Sequence, residues 1–278
     1  MNNKQKTALI TGATDGIGKA LAQKLLEENM ELVIIGRNPE KVRNTVNELI
    51  SKTKKNSISG ITADLSLMKD VKFACDEFFK NHNQLNYLIL NANAICNERT
   101  ITEEGNEQNF AIGYLSRVLM IKLLQKVLEA TPKSQILSVI GLDVTRVDFD
   151  DLTIEKDFSG RKGLTRWQWA INLFTDIYNK ESNVPLNLYM PGLVKTKILK
   201  NEPQPMRLFV QIMNMIIGLK PEKSAINIMK VINEINKNKL SNVTFSYSKQ
   251  RKPIKLELKT GDDRRLVNVT QTLIQNFI

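Results

Sequence analysis

Short apolar segments alternate with longer segments of helical periodicity through the first two thirds of this chain. The apolar segments have the length of strands and lie at residues 7–10, 32–35, 59–62, 87–90, 135–139 and 186–189. The segments between them have the length and period of helices and lie at residues 17–28, 39–52, 68–81, 107–130 and 162–179. Because parallel strands need a crossover that usually forms a helix, this alternation predicts a parallel sheet with helices on both faces. We therefore predict a doubly wound α/β fold.

Beyond the sixth strand the alternation becomes looser. A helix, a seventh strand and a terminal helix are predicted at residues 222–236, 243–247 and 262–275. No Pro-, Gly- or Ser-rich linker divides the chain, so residues 1–278 are predicted to form a single domain with a sheet of about seven strands. Before the seventh strand, Met206, Met213 and Met215 fit either a mobile lid at 197–220 over an apolar ligand or a helix packed in the core.

Histidine and cysteine are scarce, which excludes several kinds of chemistry. The 278 residues include one histidine, His82, and two cysteines, Cys75 and Cys96. A Ser-His-Asp triad could be built only around His82, and a metal site with several imidazoles is excluded, so no metal site is predicted. His82 lies in a polar run and is predicted to be a solvated loop residue. The cysteines are too few for a disulfide framework, which favours a reducing, cytoplasmic compartment.

Positive charge is the second unusual feature of the composition. The formal net charge is +11, from 40 Lys+Arg and 29 Asp+Glu, and would suit an anionic partner such as nucleic acid or a lipid surface. However, the lysines are spread through segments equally rich in Asn and Ile, which indicates a bias of composition, and no specific nucleic-acid partner is expected. No stretch approaches the ~18 consecutive apolar residues of a membrane span, and the first residues do not resemble a signal peptide.

A glycine-rich turn follows the first strand and opens the first helix, as Thr11-Gly12-Ala13-Thr14-Asp15-Gly16-Ile17-Gly18. Glycines permit a tight turn and a close approach of the backbone, so that amide N–H groups and the helix N-terminus can contact a pyrophosphate. A glycine spacing alone is weak, but its position between the first strand and first helix of a doubly wound pattern makes it strong. It predicts a dinucleotide site with Gly12, Thr14, Asp15, Gly16, Ile17 and Gly18.

The spacing TGxxxGxG resembles that of the short-chain dehydrogenase/reductase family, which has a Rossmann fold and binds NAD(P). Ala63-Asp64-Leu65 resembles the family's Asp-Leu at the adenine ring, and Leu90-Asn91-Ala92-Asn93 resembles its Asn-Asn-Ala-Gly after the fourth strand. Pro191-Gly192-Leu193-Val194-Lys195-Thr196 matches its PGxVxT, which holds the nicotinamide carboxamide. The resemblance thus implies further cofactor-binding residues, namely Asp64, Leu65, Asn91, Ala92, Pro191, Gly192, Val194 and Thr196.

The residues after the second strand, Gly36-Arg37-Asn38, bear on the choice of cofactor. An acidic residue there would accept hydrogen bonds from the ribose hydroxyls of NAD, whereas a cation suits the 2′-phosphate of NADP. The resemblance therefore implies that NADP(H) is held by Arg37 and Asn38. The alternative is a surface arginine that caps a turn.

Other segments resemble the retinol-dehydrogenase-like branch of the family. They extend the resemblance from residue 6 to about residue 275, and they are Thr102-Glu103-Glu104-Gly105, Phe149-Asp150-Asp151-Leu152, Glu155-Lys156, Leu219-Lys220-Pro221-Glu222 and Asp263-Arg264-Arg265-Leu266-Val267.

Enzymes of this family transfer a hydride between the nicotinamide and a carbonyl or alcohol, and an Asn/Ser/Tyr/Lys tetrad stabilises the developing alkoxide and moves the proton. The family's segment that carries Tyr-x-x-x-Lys aligns without a gap on 149–174, which places Leu164 at the tyrosine and Gln168 at the lysine. The serine falls on Gly141 and the asparagine on Gly113. The resemblance thus implies that all four tetrad residues are replaced and that no usual catalytic residue is present.

Other residues could take over parts of the site. Asp143, Tyr114 or Lys195 could supply a proton, although each is equally explained as a loop or surface residue. Trp167 could fill the emptied pocket or stack on a flat ligand. Because the same helix pairs subunits in relatives, we favour Trp167 and Trp169 as interface residues of a homodimer through the 162–180 helix.

Two functions follow. The first is a pseudoenzyme that binds NADP(H), more weakly than its relatives because the lysine is missing, together with an apolar small molecule or a partner. The second is an active NADP-dependent oxidoreductase on an unusual carbonyl or alcohol, with a different proton donor.

Overall fold

The computed structural model describes residues 5–195 and 218–278. Eight strands form one sheet: β1 Thr7–Thr11, β2 Glu31–Gly36, β3 Ile58–Thr62, β4 Tyr87–Leu90, β5 Gln135–Val139, β6 Leu186–Met190, β7 Thr244–Ser246 and β8 Lys249–Arg251. Their order is β3-β2-β1-β4-β5-β6-β7-β8; β1 to β7 are parallel, and β8 pairs antiparallel with β7. The predicted doubly wound fold is confirmed, with a short antiparallel edge strand beyond the seven expected.

Helices cover both faces of this sheet. They are α1 Gly16–Glu27, α2 Pro39–Thr53, α3 Met68–Asn81, α4 Gln108–Phe110, α5 Ser116–Ala130, α6 Gly160–Glu181, α7 Pro221–Asn238 and α8 Asp262–Ile274. A π-helical turn, Ala111–Leu115, joins α4 to α5, and a 3-10 turn, Gln275–Phe277, follows α8. The single helix expected over 107–130 is thus interrupted, since apolar periodicity does not reveal a locally widened turn.

Polar caps explain where the helices next to the carboxyl ends of the strands begin. The Asp15 side chain accepts from the backbone N–H of Gly16 at 2.8 Å, at the start of α1. The Asn38 side chain accepts from Lys41 N at 2.9 Å, with Pro39 in the first turn of α2. Such side chains satisfy helix N–H groups that have no partner within the helix.

The sheet separates two apolar layers. Successive side chains of a strand point to opposite faces, so Leu9 packs with residues of α3, α5 and α6, whereas Ile10 packs with residues of α1 and α7. The order β2-β1-β4 means that the crossovers leave β1 and β4 in opposite directions. A crevice therefore lies at the carboxyl ends of these two strands, where α/β folds bind ligands.

His82 lies at the end of α3 and not in a solvated loop. Its ring stacks on Phe78, with the ring centroids 4.9 Å apart, and its side chain is only 9% exposed. The prediction of a solvated residue is wrong, because residues four apart at a helix end meet on one face.

Most of the segment predicted as a lid, 197–220, lies outside the described residues, as do Met206, Met213 and Met215. Its end is described: Leu219 forms a parallel bridge with Val194, and Lys195 N donates to Leu219 O at 2.9 Å. Within the described ranges, no helix is both long enough and apolar enough to cross a membrane.

Candidate functional site

A cavity of about 830 Å³ opens at the crevice between β1 and β4. One end, which we call the glycine end, is lined by Gly12, Thr14, Asp15, Gly16, Ile17, Arg37, Lys41 and Asp64. The opposite end, which we call the α6 end, is lined by Ile112, Val139, Ile140, Gly141, Leu164 and Gln168. Between them lie Leu65, Asn91, Ala92, Asn93, Pro191, Gly192 and Val194. The structure therefore brings most of the predicted cofactor residues together in one continuous cavity.

Close backbone packing shapes the glycine end. Gly12 and Gly16 have φ of +65° and +55°, a region that favours glycine. A Cβ at Gly12 would lie 2.7 Å from Ala92 Cα. The Asn91 side chain donates from Nδ2 to Thr11 O at 3.1 Å and to Gly12 O at 3.0 Å, which ties the turn to the end of β4. The turn thus leaves an open, rigid cradle in front of the N-terminus of α1, where an anion is favoured.

Among the described residues, two of the predicted cofactor residues, Gly18 and Asn38, do not line this cavity. Gly18 is buried beneath the turn, where a Cβ would lie 2.5 Å from Gly12 O, so its role is to let α1 pack closely. The Asn38 side chain caps α2. Thr196 lies outside the described residues.

Two cations lie at the glycine end. The Arg37 side chain is 69% exposed, and its Nη1 lies 4.0 Å from Asp64 Oδ2. Lys41, in the first turn of α2, lines the same part of the cavity. Asn38, and not Arg37, caps the start of α2, and the Arg37 side chain lies mainly at the surface. Sequence reasoning missed Lys41, because Arg37 precedes α2 and the spacing of the two residues carries no helical periodicity.

At the α6 end, Gly113 is covered by an aromatic ring. Gly113 lies in the π-helical turn, and a Cβ placed on it would overlap the indole of Trp167 from α6. Trp167 is fully buried, at 0% exposure. The indole therefore fills the space that any longer side chain at position 113 would need.

Gly141 is covered in a similar way. A Cβ at Gly141 would lie 2.6 Å from Oε1 of Gln168. Gln168 is buried, and in the described structure its Oε1 has no hydrogen-bond partner. Leu164, one helical turn earlier, is half-buried and packs against the core. Three of the four expected tetrad positions thus meet in the cavity wall, and the fourth, Gly113, lies behind it.

Both tryptophans are internal residues. Trp167 packs on Gly113, and Trp169 donates from Nε1 to Glu257 O at 3.2 Å beside the ring of Phe149. The interpretation of Trp167 and Trp169 as interface residues is wrong, because segments distant in sequence cover this face of α6 within the same chain. A homodimer through this helix stays a prediction, but its interface would not include Trp167 or Trp169.

The three alternative proton donors do not line the cavity. Tyr114 is buried on the other side of the π-helical turn, where its hydroxyl lies 2.7 Å from Thr270 Oγ1 and desolvation raises its pKa. Asp143 is exposed and pairs with Arg161 at 3.1 Å. Lys195 also lies outside the lining.

Titratable groups are therefore distributed unevenly along the cavity. The charged side chains that line it are Asp15, Arg37, Lys41 and Asp64, all at the glycine end. Within residues 5–195 and 218–278, the lining of the α6 end carries no titratable group, only the amide of Gln168 and apolar side chains. Among the described residues, the groups that could hold an anion thus lie at the glycine end, and the α6 end is mainly apolar.

The family model for short-chain dehydrogenases matches residues 6–143 of the chain. Polyprenol dehydrogenase of Homo sapiens is 25% identical over 231 residues, 79% of this chain and 70% of that protein. Human retinol dehydrogenase 13 is 26% identical over 199 residues, covering 69% of this chain and 60% of that protein. Oxidoreductase AN1596 of Emericella nidulans is 31% identical over 212 residues, which cover 73% of this chain and 63% of that protein. The chain thus spans less than two thirds of the last two relatives.

Solved structures show the same fold at lower identity. A levodione reductase superposes with a TM-score of 0.69 at 14% identity, over 87% of this chain and 95% of that one. An alcohol dehydrogenase from Thermococcus sibiricus, complexed with 5-hydroxy-NADP, superposes with a TM-score of 0.63 at 18% identity, over 92% and 100%. Sequence, strand order and the glycine turn agree: the chain belongs to the short-chain dehydrogenase/reductase family.

Proposed function

We propose that this protein binds NADP(H) in the cavity and has little or no carbonyl reductase or alcohol dehydrogenase activity. One observation carries the proposal: the cavity that gathers the nucleotide-binding residues ends at Gly141, Leu164 and Gln168, with no proton donor among the described residues that line that end.

The fit of a dinucleotide rests on the shape of the cavity. Its volume of about 830 Å³ runs without a break from the glycine turn to α6, and ligand pockets for small molecules and cofactors have volumes of about 300–1,000 Å³. A side chain at Gly12 would collide with Ala92, so the backbone is kept close to where a pyrophosphate would lie. Gly12, Gly16 and Ile17 would hold the pyrophosphate, and Pro191, Gly192 and Val194 the carboxamide.

The choice of NADP over NAD rests on Arg37 and Lys41. Both cations line the end of the cavity next to β2. A 2′-phosphate there would gain charge-assisted hydrogen bonds, which are stronger than neutral ones. The carboxylate of Asp64 lies 4.0 Å from Arg37, a weak contact of an exposed side chain with which a phosphate could compete.

Low activity follows from the chemistry of the α6 end. A bound nicotinamide would supply or accept a hydride, and the protein would have to supply or accept the proton. Leu164 cannot ionise, and the Gln168 amide neither transfers a proton nor carries a charge. A positioned general acid contributes ~10²- to 10⁴-fold to a rate, so its loss leaves at most slow reduction with water as the acid.

The second ligand is proposed to be an apolar small molecule. Ile112, Val139, Ile140 and Leu164 make the α6 end mainly hydrophobic. Relatives are named for polyprenol and retinol, both apolar alcohols. A reducing, cytoplasmic compartment stays a prediction, consistent with the free thiols of Cys75 and Cys96.

Two measurements test the proposal. Calorimetric titration with NADPH and with NADH should show saturable binding that is tighter for NADPH; no binding of either would overturn the proposal. Consumption of NADPH with aldehydes, ketones and quinones should stay near the uncatalysed rate. Rapid consumption that is lost in Asp143→Asn or Tyr114→Phe would instead support an active oxidoreductase with a different proton donor.

A further inference from the structure

Arg117 is a buried cation directly behind the wall of the cavity. It lies on α5 and is only 2% exposed. Its Nη1 donates to Ser138 Oγ at 2.5 Å and to Val139 O at 2.8 Å, and its Nη2 donates to Ala92 O at 2.8 Å. The guanidinium therefore bridges the carboxyl ends of β4 and β5 from behind.

Arg117 has no carboxylate partner in the described part of the chain. Its Cζ lies 4.7 Å from the centroid of the Trp167 ring, and its Nε has no hydrogen-bond partner. Burial lowers the pKa of Arg117 to about 9, with no contribution from an acidic neighbour, so the side chain stays charged at neutral pH.

A second buried arginine shows what is missing. Arg166, also 2% exposed, pairs with the buried carboxylate of Glu107 at 3.1 Å. That pair has no net charge. Arg117, in contrast, contacts only neutral oxygens and the face of an aromatic ring, so its positive charge is not neutralised. An uncompensated buried charge acts at longer range than a surface charge, because little solvent screens it.

The field of Arg117 reaches the α6 end of the cavity. Ala92 and Val139, whose carbonyl oxygens accept its hydrogen bonds, both line the cavity. Trp167, which stacks on it, is the neighbour of Gln168 in α6. A positive charge therefore lies one layer of backbone away from the surface that would face the nicotinamide.

We propose that Arg117 makes this cavity selective for the reduced cofactor, so that the protein distinguishes NADPH from NADP⁺. The nicotinamide ring of NADP⁺ carries a positive charge, whereas that of NADPH is neutral, and the two share the phosphates and adenosine. A buried cation near the ring disfavours only the oxidised form. The inference rests on the proposed binding of NADP(H), and it adds a regulatory role: occupancy would follow the reduction state of the NADP pool.

The test is the ratio of the two dissociation constants, measured by calorimetry at pH 7. A pair of unit charges roughly 10 Å apart, at an effective dielectric constant of about 20, changes affinity on the order of tenfold. We expect the wild type to bind NADPH about tenfold more tightly than NADP⁺. Arg117→Met should reduce this ratio to about one, mainly by strengthening the binding of NADP⁺.

Two variants serve as controls. Arg117→Lys keeps the charge and should keep the ratio, even if both affinities fall because the bonds to Ala92 and Val139 are altered. Because NADP⁺ and NADPH also differ in net charge, a control must show that the loss of any cation does not change the ratio. Lys122→Met removes an exposed cation from the same helix and should leave the ratio of the two dissociation constants unchanged. A ratio that falls equally in Lys122→Met would overturn the assignment to Arg117.

A measurement on the wild type covers the case in which Arg117→Met does not fold. If a buried charge sets the ratio of the dissociation constants of NADP⁺ and NADPH, that ratio should change by less than about twofold between 50 and 500 mM salt. If surface charge sets it, the ratio should decline as salt is added. Equal affinities in the wild type, or a ratio lost in salt, would overturn the inference. If neither nucleotide binds, it is the proposed function that fails.

Discussion

The two ends of the cavity use glycine in different ways. At the glycine end, Gly12 and Gly16 adopt positive φ, and Gly12 lets the turn pack closely on the backbone of Ala92, so that the backbone of the turn lines the cavity. At the α6 end, the absence of side chains at Gly113 and Gly141 is compensated by Trp167 and Gln168, which occupy the freed volume. Glycine thus serves backbone conformation and close backbone packing at one end, whereas at the other it makes room for the side chain of a neighbouring residue.

This difference shows that the replacements at the α6 end depend on one another. Protein interiors are close-packed, so a lost side chain is either replaced by a neighbour or leaves a cavity that costs stability. Trp167 and Gln168 are adjacent in α6, and each fills the space beside a glycine from a different element. A side chain added at Gly113 alone would therefore collide with Trp167, and one added at Gly141 alone would require Gln168 to move.

The largest effect is expected from adding a side chain at the filled glycine. Gly113→Asn should lower the free energy of unfolding by about 3 kcal/mol, because the new Cβ overlaps the Trp167 ring. Trp167→Ser alone should cost about 3–5 kcal/mol through the cavity that it leaves. Urea unfolding of the double variant should show a loss smaller than the sum by about 1–3 kcal/mol. Additive losses would contradict the proposed dependence.

The second test asks whether the missing tyrosine and lysine are the only reason why the α6 end would not support reduction. Leu164→Tyr combined with Gln168→Lys should raise the rate of NADPH-dependent reduction of an aldehyde about 100-fold, since a general acid contributes ~10²- to 10⁴-fold. Leu164→Phe with Gln168→Lys is the matched control, because it has the ring without the hydroxyl. Equal rates in the two double variants would show that no proton transfer had been restored.

The third test concerns the glycine end. Arg37→Ala should weaken the binding of NADPH about tenfold, through loss of a charge-assisted contact, and leave that of NADH nearly unchanged. Arg43→Ala, which removes an exposed cation of α2 outside the cavity, should change neither constant. Calorimetry measures both. If NADH weakened as much as NADPH, Arg37 would not recognise the 2′-phosphate.

The smallest effect concerns the C-terminal helix that lies behind the α6 end. Arg146 donates from Nε to Asp262 Oδ2 at 2.7 Å, and this pairing holds the pKa of the Asp262 carboxyl below its usual value. A lowered pKa stabilises the fold above the unfolded pKa, near 3.9, and this contribution is lost as pH falls through the folded pKa. Asp262→Asn should therefore cost about 1 kcal/mol at pH 7 and less below pH 4.

Chemical unfolding at several pH values measures this difference. Asp263→Asn, at the exposed neighbouring position in the first turn of α8, should show a smaller cost at pH 7. A cost for Asp262→Asn that did not vary with pH would mean that the ion pair with Arg146 contributes little.

Much of the fold could be predicted because its signals are local. The helix over Met68–Asn81 has the predicted bounds, and α2 begins at Pro39 as predicted, because apolar period and polar caps are written in neighbouring residues. The eighth strand was missed, since three exposed residues, Lys249–Arg251, carry no apolar pattern. His82 was misjudged, since its polar neighbours in sequence hid the ring of Phe78 beneath it.

The sequence by itself determined the glycine end, because a phosphate-binding turn depends on backbone conformations that only a few adjacent residues control. It also identified Gly113, Gly141, Leu164 and Gln168 as unusual. Only the tertiary structure decided what these residues do together. The contacts of Trp167 with Gly113, and of Arg117 with Ala92 and Val139, join residues 22 to 54 positions apart in the chain. Such contacts depend on three-dimensional packing and burial, which no local periodicity encodes.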